Sequence, residues 1–276
     1  MITASRVGRD GALHLRFERR GSGTVLAASR STLPLQVLTP VALDDPAAVV
    51  SMLNPTGGVL GGDQLTIEVE VGRDAHACLT TPSATRVYRA VAAPAVQRVR
   101  LALAPGAVAE WVPDHIIPSA GAALCQALEV DAGAGATLIA IDAFAAGRVA
   151  RGEAWSFARL DSTLTVRDAT GLVLHDRIVL RGGPGWRGLG FAEGRPYVAT
   201  LVLVADAGID DVLGELPAAV AAIDGAVVGG ARLARRGALL RCLAAGAPAL
   251  ANVLDALWRL ARCRLLRLPP LALRKL

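Results

Sequence analysis

Aromatic side chains are scarce, at 4% of 276 residues, although hydrophobic residues of all kinds reach 53%. A core must therefore be built from Ala, Val and Leu rather than from rings. So apolar a chain is not disordered on a large scale. No unbroken apolar stretch follows the first charge of MITASRVGRDGALHL, so export is not expected. The most apolar helical stretch, Ala247 to Leu257, falls short of the roughly 20 residues that cross a bilayer. The expectation is a soluble, cytoplasmic protein. Cys78, Cys125, Cys242 and Cys263 form no CxxC pair and no zinc-site spacing, which reads as buried, reduced thiols. A formal charge of +5 and a pI near 9.5 suit an acidic partner and equally an ordinary soluble surface.

What is abundant is alternation. From Val7 to about Leu201, short runs alternate apolar with polar residues between Gly, Pro and Asp, the pattern of half-buried strands and turns. Leu65-Thr66-Ile67-Glu68-Val69-Glu70-Val71 is the clearest, and similar runs lie at 98–103, 124–130, 136–141, 162–167 and 172–180. Turns such as Ala104-Pro105-Gly106 and Asp131-Ala132-Gly133 recur between them. This predicts a mainly β chain of stacked antiparallel layers, β-helix-like, and not an alternating βαβ plan.

After Arg195-Pro196-Tyr197 the pattern changes. A strand at 199–204 leads into a helix from about Gly208 to Ile223, with Asp210 and Asp211 in its first turn. Strands at 226–233 and 238–243 follow, then a helix from near Pro248 to about Cys263. Its Leu250, Leu254, Leu257 and Leu260 recur at helical spacing and predict one packed face. We expect a single domain over 1–276, with a β-rich body over 1–197 and a smaller α+β part over 198–276, since no Ser/Gly/Pro linker divides them.

Four blocks carry candidate chemistry. The first, Asn54-Pro55-Thr56-Gly57-Gly58-Val59-Leu60-Gly61-Gly62-Asp63-Gln64-Leu65, has four glycines in six positions directly before a strand. A phosphate-binding loop would need Lys-Ser or Lys-Thr and then a helix; neither is present. The second, Leu79-Thr80-Thr81-Pro82-Ser83-Ala84-Thr85-Arg86-Val87-Tyr88-Arg89, sets hydroxyls beside two arginines but offers no nearby base to activate Ser83. The third is Glu110-Trp111-Val112-Pro113-Asp114-His115-Ile116-Ile117-Pro118, and the fourth runs from Ile141-Asp142 to Gly152-Glu153. Glu110, Asp114, His115, Asp142 and Asp176 could form a metal or acid/base set, though no spacing ties them together.

In order and at matching separations, these blocks resemble the UreD (UreH) family of urease accessory proteins. The family's HPPGGxxGGDxL is matched by NPTGGVLGGDQL, TTPGATKFYR by TTPSATRVYR, EWLPQExIxF by EWVPDHIIP, and WDxxxLGRxxxGE by IDAFAAGRVARGE. Leu174-His175-Asp176-Arg177-Ile178 and the closing Trp258-Arg259 helix with its Leu268-Pro269-Pro270 tail extend the likeness. Asn54 and Thr56 replace His and Pro, Gln64 replaces a frequent acid, and Asp114-His115 stand at the usual Gln-Glu pair.

The resemblance implies a predominantly β scaffold that is not an enzyme. It implies three partners: apo-urease, the accessory protein UreF and, through UreF, the GTPase UreG. A dimer could form within that accessory complex. No cofactor is held tightly; a nickel ion passes in transit through an internal tunnel. Asp63, Asp142 and Asp176 match family positions associated with that path, and His115 is a further candidate. Carboxylates suit transit, because imidazole and thiolate clusters hold nickel more tightly and a deep well would trap the ion. Gly57, Gly58, Gly61 and Gly62 would let the backbone approach a neighbouring layer and aim Asp63 inward. The basic stretch Arg259, Arg262, Arg264, Arg267, Arg274 and Lys275 lacks stacking aromatics apart from Trp258, so a protein-partner surface is expected rather than nucleic acid; no membrane partner is expected.

Two other readings make different predictions. An enzyme holding an anionic substrate at the Gly57–Asp63 loop requires a pocket joining that loop to Arg86 and a general base. A β-rich adaptor without a metal role requires no interior channel at all.

Overall fold

The computed structural model describes residues 8–40, 43–188 and 190–273. Val7 of the first strand pattern, and Arg274 and Lys275 of the basic stretch, lie outside them. The strands are β1 (Asp10–Arg20), β2 (Gly23–Thr32), β3 (Gln36–Val37), β4 (Ala48–Leu53), β5 (Gln64–Val71), β6 (His76–Thr80), β7 (Thr85–Val87), β8 (Ala95–Leu103), β9 (Val108–Trp111), β10 (Ile116–Pro118), β11 (Ala123–Ala132), β12 (Thr137–Ala145), β13 (Arg159–Asp168), β14 (Gly171–Arg181) and β15 (Tyr197–Val204). Helix α1 (Ile209–Val220), strands β16 (Ala226–Arg232) and β17 (Gly237–Ala244), and helix α2 (Ala247–Ala261) complete the chain.

The chain coils. From β4 to β13 it steps back and forth between two facing walls. Strands β4, β6, β9 and β12 run parallel in one wall, and β5, β8, β11 and β13 run parallel in the other, with β1 parallel to β5. The result is a mainly β protein of stacked solenoid coils with two α-helices in its C-terminal part. The antiparallel pairing expected between layers occurs at the margins: β2 on β1, β14 on β13, β3 on β4, and β15, β17 and β16 in succession beyond β12. The C-terminal strands thus extend the same ten-stranded sheet as the body.

Small residues make the coil possible at one end. The turns at 72–75, 104–107 and 133–136 are each closed by a bond from an alanine N–H, of Ala75, Ala107 and Ala136, to the carbonyl three residues earlier. Asp74 N donates to Pro105 O at 3.2 Å and Gly106 N to Ala134 O at 2.9 Å, so successive turns stack like rungs. A Cβ on Gly133 would lie 2.7 Å from Pro105 N, a contact only glycine avoids.

Two cores result. Between the walls, Leu13, Leu65, Leu101, Leu138 and Leu160 pack with Val and Ala around a few rings such as Phe17 and Phe144. On the outer face of the ten-stranded sheet, α1 and α2 cover a second core, α2 through Leu250, Val253, Leu257 and Leu260. The outer face of the seven-stranded sheet is open and carries an in-register row of polar and charged side chains, His14, Glu68, Arg100 and Glu129. That solvated face explains the antiparallel reading of the alternation. Parallel sheets are ordinarily covered on both faces and lack alternation, whereas here one face of a parallel wall meets water. Among the described residues no helix is long and apolar enough to cross a membrane. None of the four cysteines forms a disulfide; Cys78 and Cys242 are buried and Cys125 and Cys263 partly so, with burial pushing the Cys242 thiol up to about 11.

Candidate functional site

At the end opposite the stacked turns, the connections between walls are wide loops, and between them lies a cavity of about 470 Å³. Gly57, Gly58, Thr81, Ser83, Thr85 and Arg86 line its loop end, and Asp114 stands among them. Deeper in, the walls are Leu65, Ile67, Val99, Leu124, Leu128 and Leu164, and the polar floor is Gln126, Asp142 and Ser162.

The glycine block and the Thr-Arg block are bonded to each other. Val59 N donates to Arg86 O and Tyr88 N to Val59 O, both at 2.8 Å. Gly58 has φ +148°, and a Cβ there would sit 2.6 Å from Arg86 O, so the close approach requires glycine. Asn54 closes the loop on itself: its Nδ2 donates to Gly58 O at 2.9 Å, and its Oδ1 accepts from Thr56 N at 3.0 Å and Thr56 Oγ1 at 2.6 Å. Two of the departures from the family pattern, Asn54 and Thr56, thus form a mutually bonded pair.

Asp63 points inward and is 2% exposed. Its Oδ1 accepts from Arg9 N at 2.9 Å and its Oδ2 from Leu60 N at 2.8 Å, which fastens the glycine loop to the chain before β1. It lies outside the cavity lining. Asp142 stands on the floor, where Gln126 Nε2 donates to Oδ1 at 2.7 Å and Ser162 Oγ to Oδ2 at 2.6 Å. Burial pushes its pKa up to about 6, against the bonds from Ser162 and Gln126 and the nearby charge of Arg241, while Asp176 adds to the rise. Asp176 projects from β14, with its Oδ1 2.6 Å from Arg241 Nη2, and Arg241 also bonds the Thr200 hydroxyl. Asp142, Arg241 and Asp176 are therefore neighbours, while Asp63 is tied up in the loop. His115 sits beside the cavity, its ring edge-on to Tyr197 at 5.8 Å and its carbonyl accepting from Thr85 N.

Glu110 is separated from this set by the thickness of the sheet. Alternation along β9 turns Ala109 and Trp111 inward and Glu110 outward, under α2. There it is fully buried and accepts from His76 Nε2 at 2.6 Å, Trp258 Nε1 at 2.6 Å and Arg262 Nη1. Arg262, in the π-helical turn after α2, is also fully buried; it pairs with Asp45, donates to Pro269 O at 3.0 Å and lies 5.6 Å from the Trp258 ring centroid. Arg262 is therefore not part of a partner surface. Arg259 pairs with Asp255 and Arg264 with Glu215, so the basic stretch is partly compensated. Gln126 and Arg241 were legible only as polar residues interrupting the apolar runs ALCQALEV and ALLRCLA. Among the described residues no group of three or more His, Cys, Asp or Glu could hold a metal ion.

Residues 9–275 match the model of the family described as UreD urease accessory protein. The chain belongs to the UreD urease accessory protein family. The urease accessory protein UreD of Delftia acidovorans is 37% identical over 288 residues, covering 96% of this chain and 93% of its own. That of Alkalilimnicola ehrlichii is 33% identical over 264 residues, covering 95% and 89%, and that of Klebsiella aerogenes 34% over 204 residues, covering 73% of each. Loop, cavity and α2 network all fall within the family match.

Proposed function

We propose that this chain acts in urease maturation as a non-catalytic cytoplasmic scaffold, passing nickel in transit through the space between its walls. It bridges apo-urease to UreF and, through UreF, to UreG. The observation that carries the cargo reading is Asp142: one carboxylate on the floor of a largely apolar cavity, held by neutral donors and not neutralised by a direct ion pair. A divalent ion is stabilised there by carboxylate and water oxygens, a weak and exchangeable ligand set compared with imidazole or thiolate clusters. Asp176 and Arg241 modulate the field beside it. Asp63 supports the passage by fixing the loop that borders it, and His115 stands at its margin through Tyr197.

The test is co-expression with urease and its other accessory proteins, measuring nickel content and activity with and without this chain. Unchanged activation on deletion rejects the reading. Asp142→Leu is expected to keep folding and UreF binding while lowering nickel delivery, because it removes the oxygen contact from the floor; equal loss of binding would make the residue structural.

The same cavity joins Gly57 and Gly58 to Arg86 and Asp142, as an enzyme for an anionic substrate requires. Turnover of phosphate or carboxylate esters by the purified chain, abolished in Arg86→Ala, would establish that second reading.

A further inference from the structure

Gln126 has one polar atom that the fold leaves without a role. Its Nε2 donates to Asp142 Oδ1 at 2.7 Å and to Ser162 Oγ at 3.0 Å, so both amide hydrogens are used. Ser162 passes its own hydroxyl hydrogen to Asp142 Oδ2 at 2.6 Å. The three side chains, from adjacent strands of one wall and the facing strand of the other, form a closed ring of donors around one carboxylate. Turning the amide over would set its carbonyl oxygen against the carboxylate, so Asp142 fixes its orientation.

With the amide so fixed, Gln126 Oε1 is buried and has no hydrogen-bond partner. Gln126 itself lines the cavity floor beside Asp142. A buried acceptor left open is unfavourable, and folded proteins keep few of them. The charged groups around the floor are Arg241 and Asp176 on the β14 and β17 side and Arg86 and Asp114 towards the loops. None of them is bonded to this oxygen.

We infer that Gln126 Oε1 is the second protein oxygen offered to the divalent cation in transit, beside Asp142, with water completing its shell. The inference rests on the cargo reading above. An amide carbonyl adds a hard oxygen ligand without adding charge, so it defines where the ion pauses while keeping the well shallow.

Nickel(II) is titrated into the purified full chain by calorimetry at pH 8, with circular dichroism confirming the fold of each variant. Asp142→Asn and Gln126→Met are each expected to weaken binding about tenfold or more, equivalent to about 1.4 kcal/mol. Ser162→Ala also removes a donor from Asp142 but leaves Oε1 in place, and is expected to stay within about threefold of wild type. Gln126→Glu restores an oxygen while removing the donor, and is expected to bind at least as tightly as wild type. Wild-type affinity in Gln126→Met alongside weakened Asp142→Asn overturns the role of Gln126 and leaves the cargo reading intact. A loss in Ser162→Ala or Gln126→Glu as large as in Gln126→Met also overturns it, because Gln126 would then act only by holding Asp142. Wild-type affinity in both Gln126→Met and Asp142→Asn overturns the proposal and the cargo reading together.

Discussion

Replacing Arg262 with Met tests whether a single buried cation fastens the C-terminal helix to the solenoid wall. Arg262 and Glu110 are both 0% exposed, and the Asp45 side chain is 3% exposed. Methionine keeps most of the volume and the contact with Trp258 but leaves two buried carboxylates without their shared cation. Breaking a buried pair on one side costs about 3–5 kcal/mol, more than an exposed bridge by several-fold. At about 2–4 °C per kcal/mol for a chain of this size, the melting temperature should fall by roughly 10 °C. Urea unfolding followed by circular dichroism supplies the free energy, and an unchanged m-value confirms that the same transition is compared. Glu110→Gln and the double variant complete a cycle, in which the pair should be strongly coupled. Acid adds an independent axis. Burial raises the Glu110 pKa, but the bond and charge of His76, the charge of Arg262 and the bond from Trp258 outweigh it and hold the group below 4.5. A depressed folded pKa means stability that is present above 4.5 and lost as pH falls through the lower folded value, so wild type should weaken there and Glu110→Gln should not. A cost under about 1 kcal/mol for Arg262→Met refutes the reasoning, since it would mean that the network is open to water.

Asp142 should show the opposite pH dependence: with its pKa raised from 3.8 to about 6, its contribution is complete below 3.8 and lost as pH rises through 6. Wild type should therefore lose up to about 3 kcal/mol relative to Asp142→Asn between acid and neutral pH, read from urea midpoints. Asp63→Ala leaves the Arg9 and Leu60 N–H groups without their acceptor and should cost about 3 kcal/mol of stability while leaving nickel affinity unchanged. Gly58→Ala should cost about 2 kcal/mol or more, because φ is +148° and the new Cβ meets Arg86 O. Gly214→Ala, on the exposed side of α1 with nothing near its Cβ position, should instead stabilise by about 0.5–1 kcal/mol in the same urea assay.

The parts of the fold legible in the sequence are those with one wet face. Runs such as Leu65 to Val71 and Leu172 to Leu180 alternate because every second residue meets solvent or the open sheet face, and they appear as β5 and β14 within a residue or two. Strand β6, His76–Thr80, is buried at all five positions because the facing wall covers one side and the C-terminal segment the other, so it carries no alternation to read. Strand β4 is concealed for the same reason. Parallel pairing was not legible, since alternation reports the wetness of a face and not the direction of its neighbour. The helices were found by their spacing, but the burial of Arg262 was not: its partners Glu110 and Asp45 are 152 and 217 residues away. In the site, the loop contacts of Asp63 and the shared field of Asp142 and Asp176 are matters of register between distant coils.

Glu110 and Asp142 show how register assigns different work to the same chemical group. Glu110 on β9 lies opposite Ile139 on β12, three residues before Asp142, so the two acids belong to one wall but to opposite faces. On the outer face the sheet is sealed by α2, and Glu110 meets His76, Trp258 and Arg262 together; its charge is fully answered and its pKa is lowered. On the inner face Asp142 meets an amide and a hydroxyl, with Arg241 acting from farther off, and its pKa is raised. The first carboxylate has no remaining demand for a cation, and no space for one. The second faces the cavity and, under the proposed cargo reading, is the one left to meet a cation. Moving Asp142 by one position along β12 would turn it to the outer face of the sheet and leave the cavity floor without a carboxylate, so under the proposed cargo reading the parity of this one strand decides whether the interior suits a charged passenger.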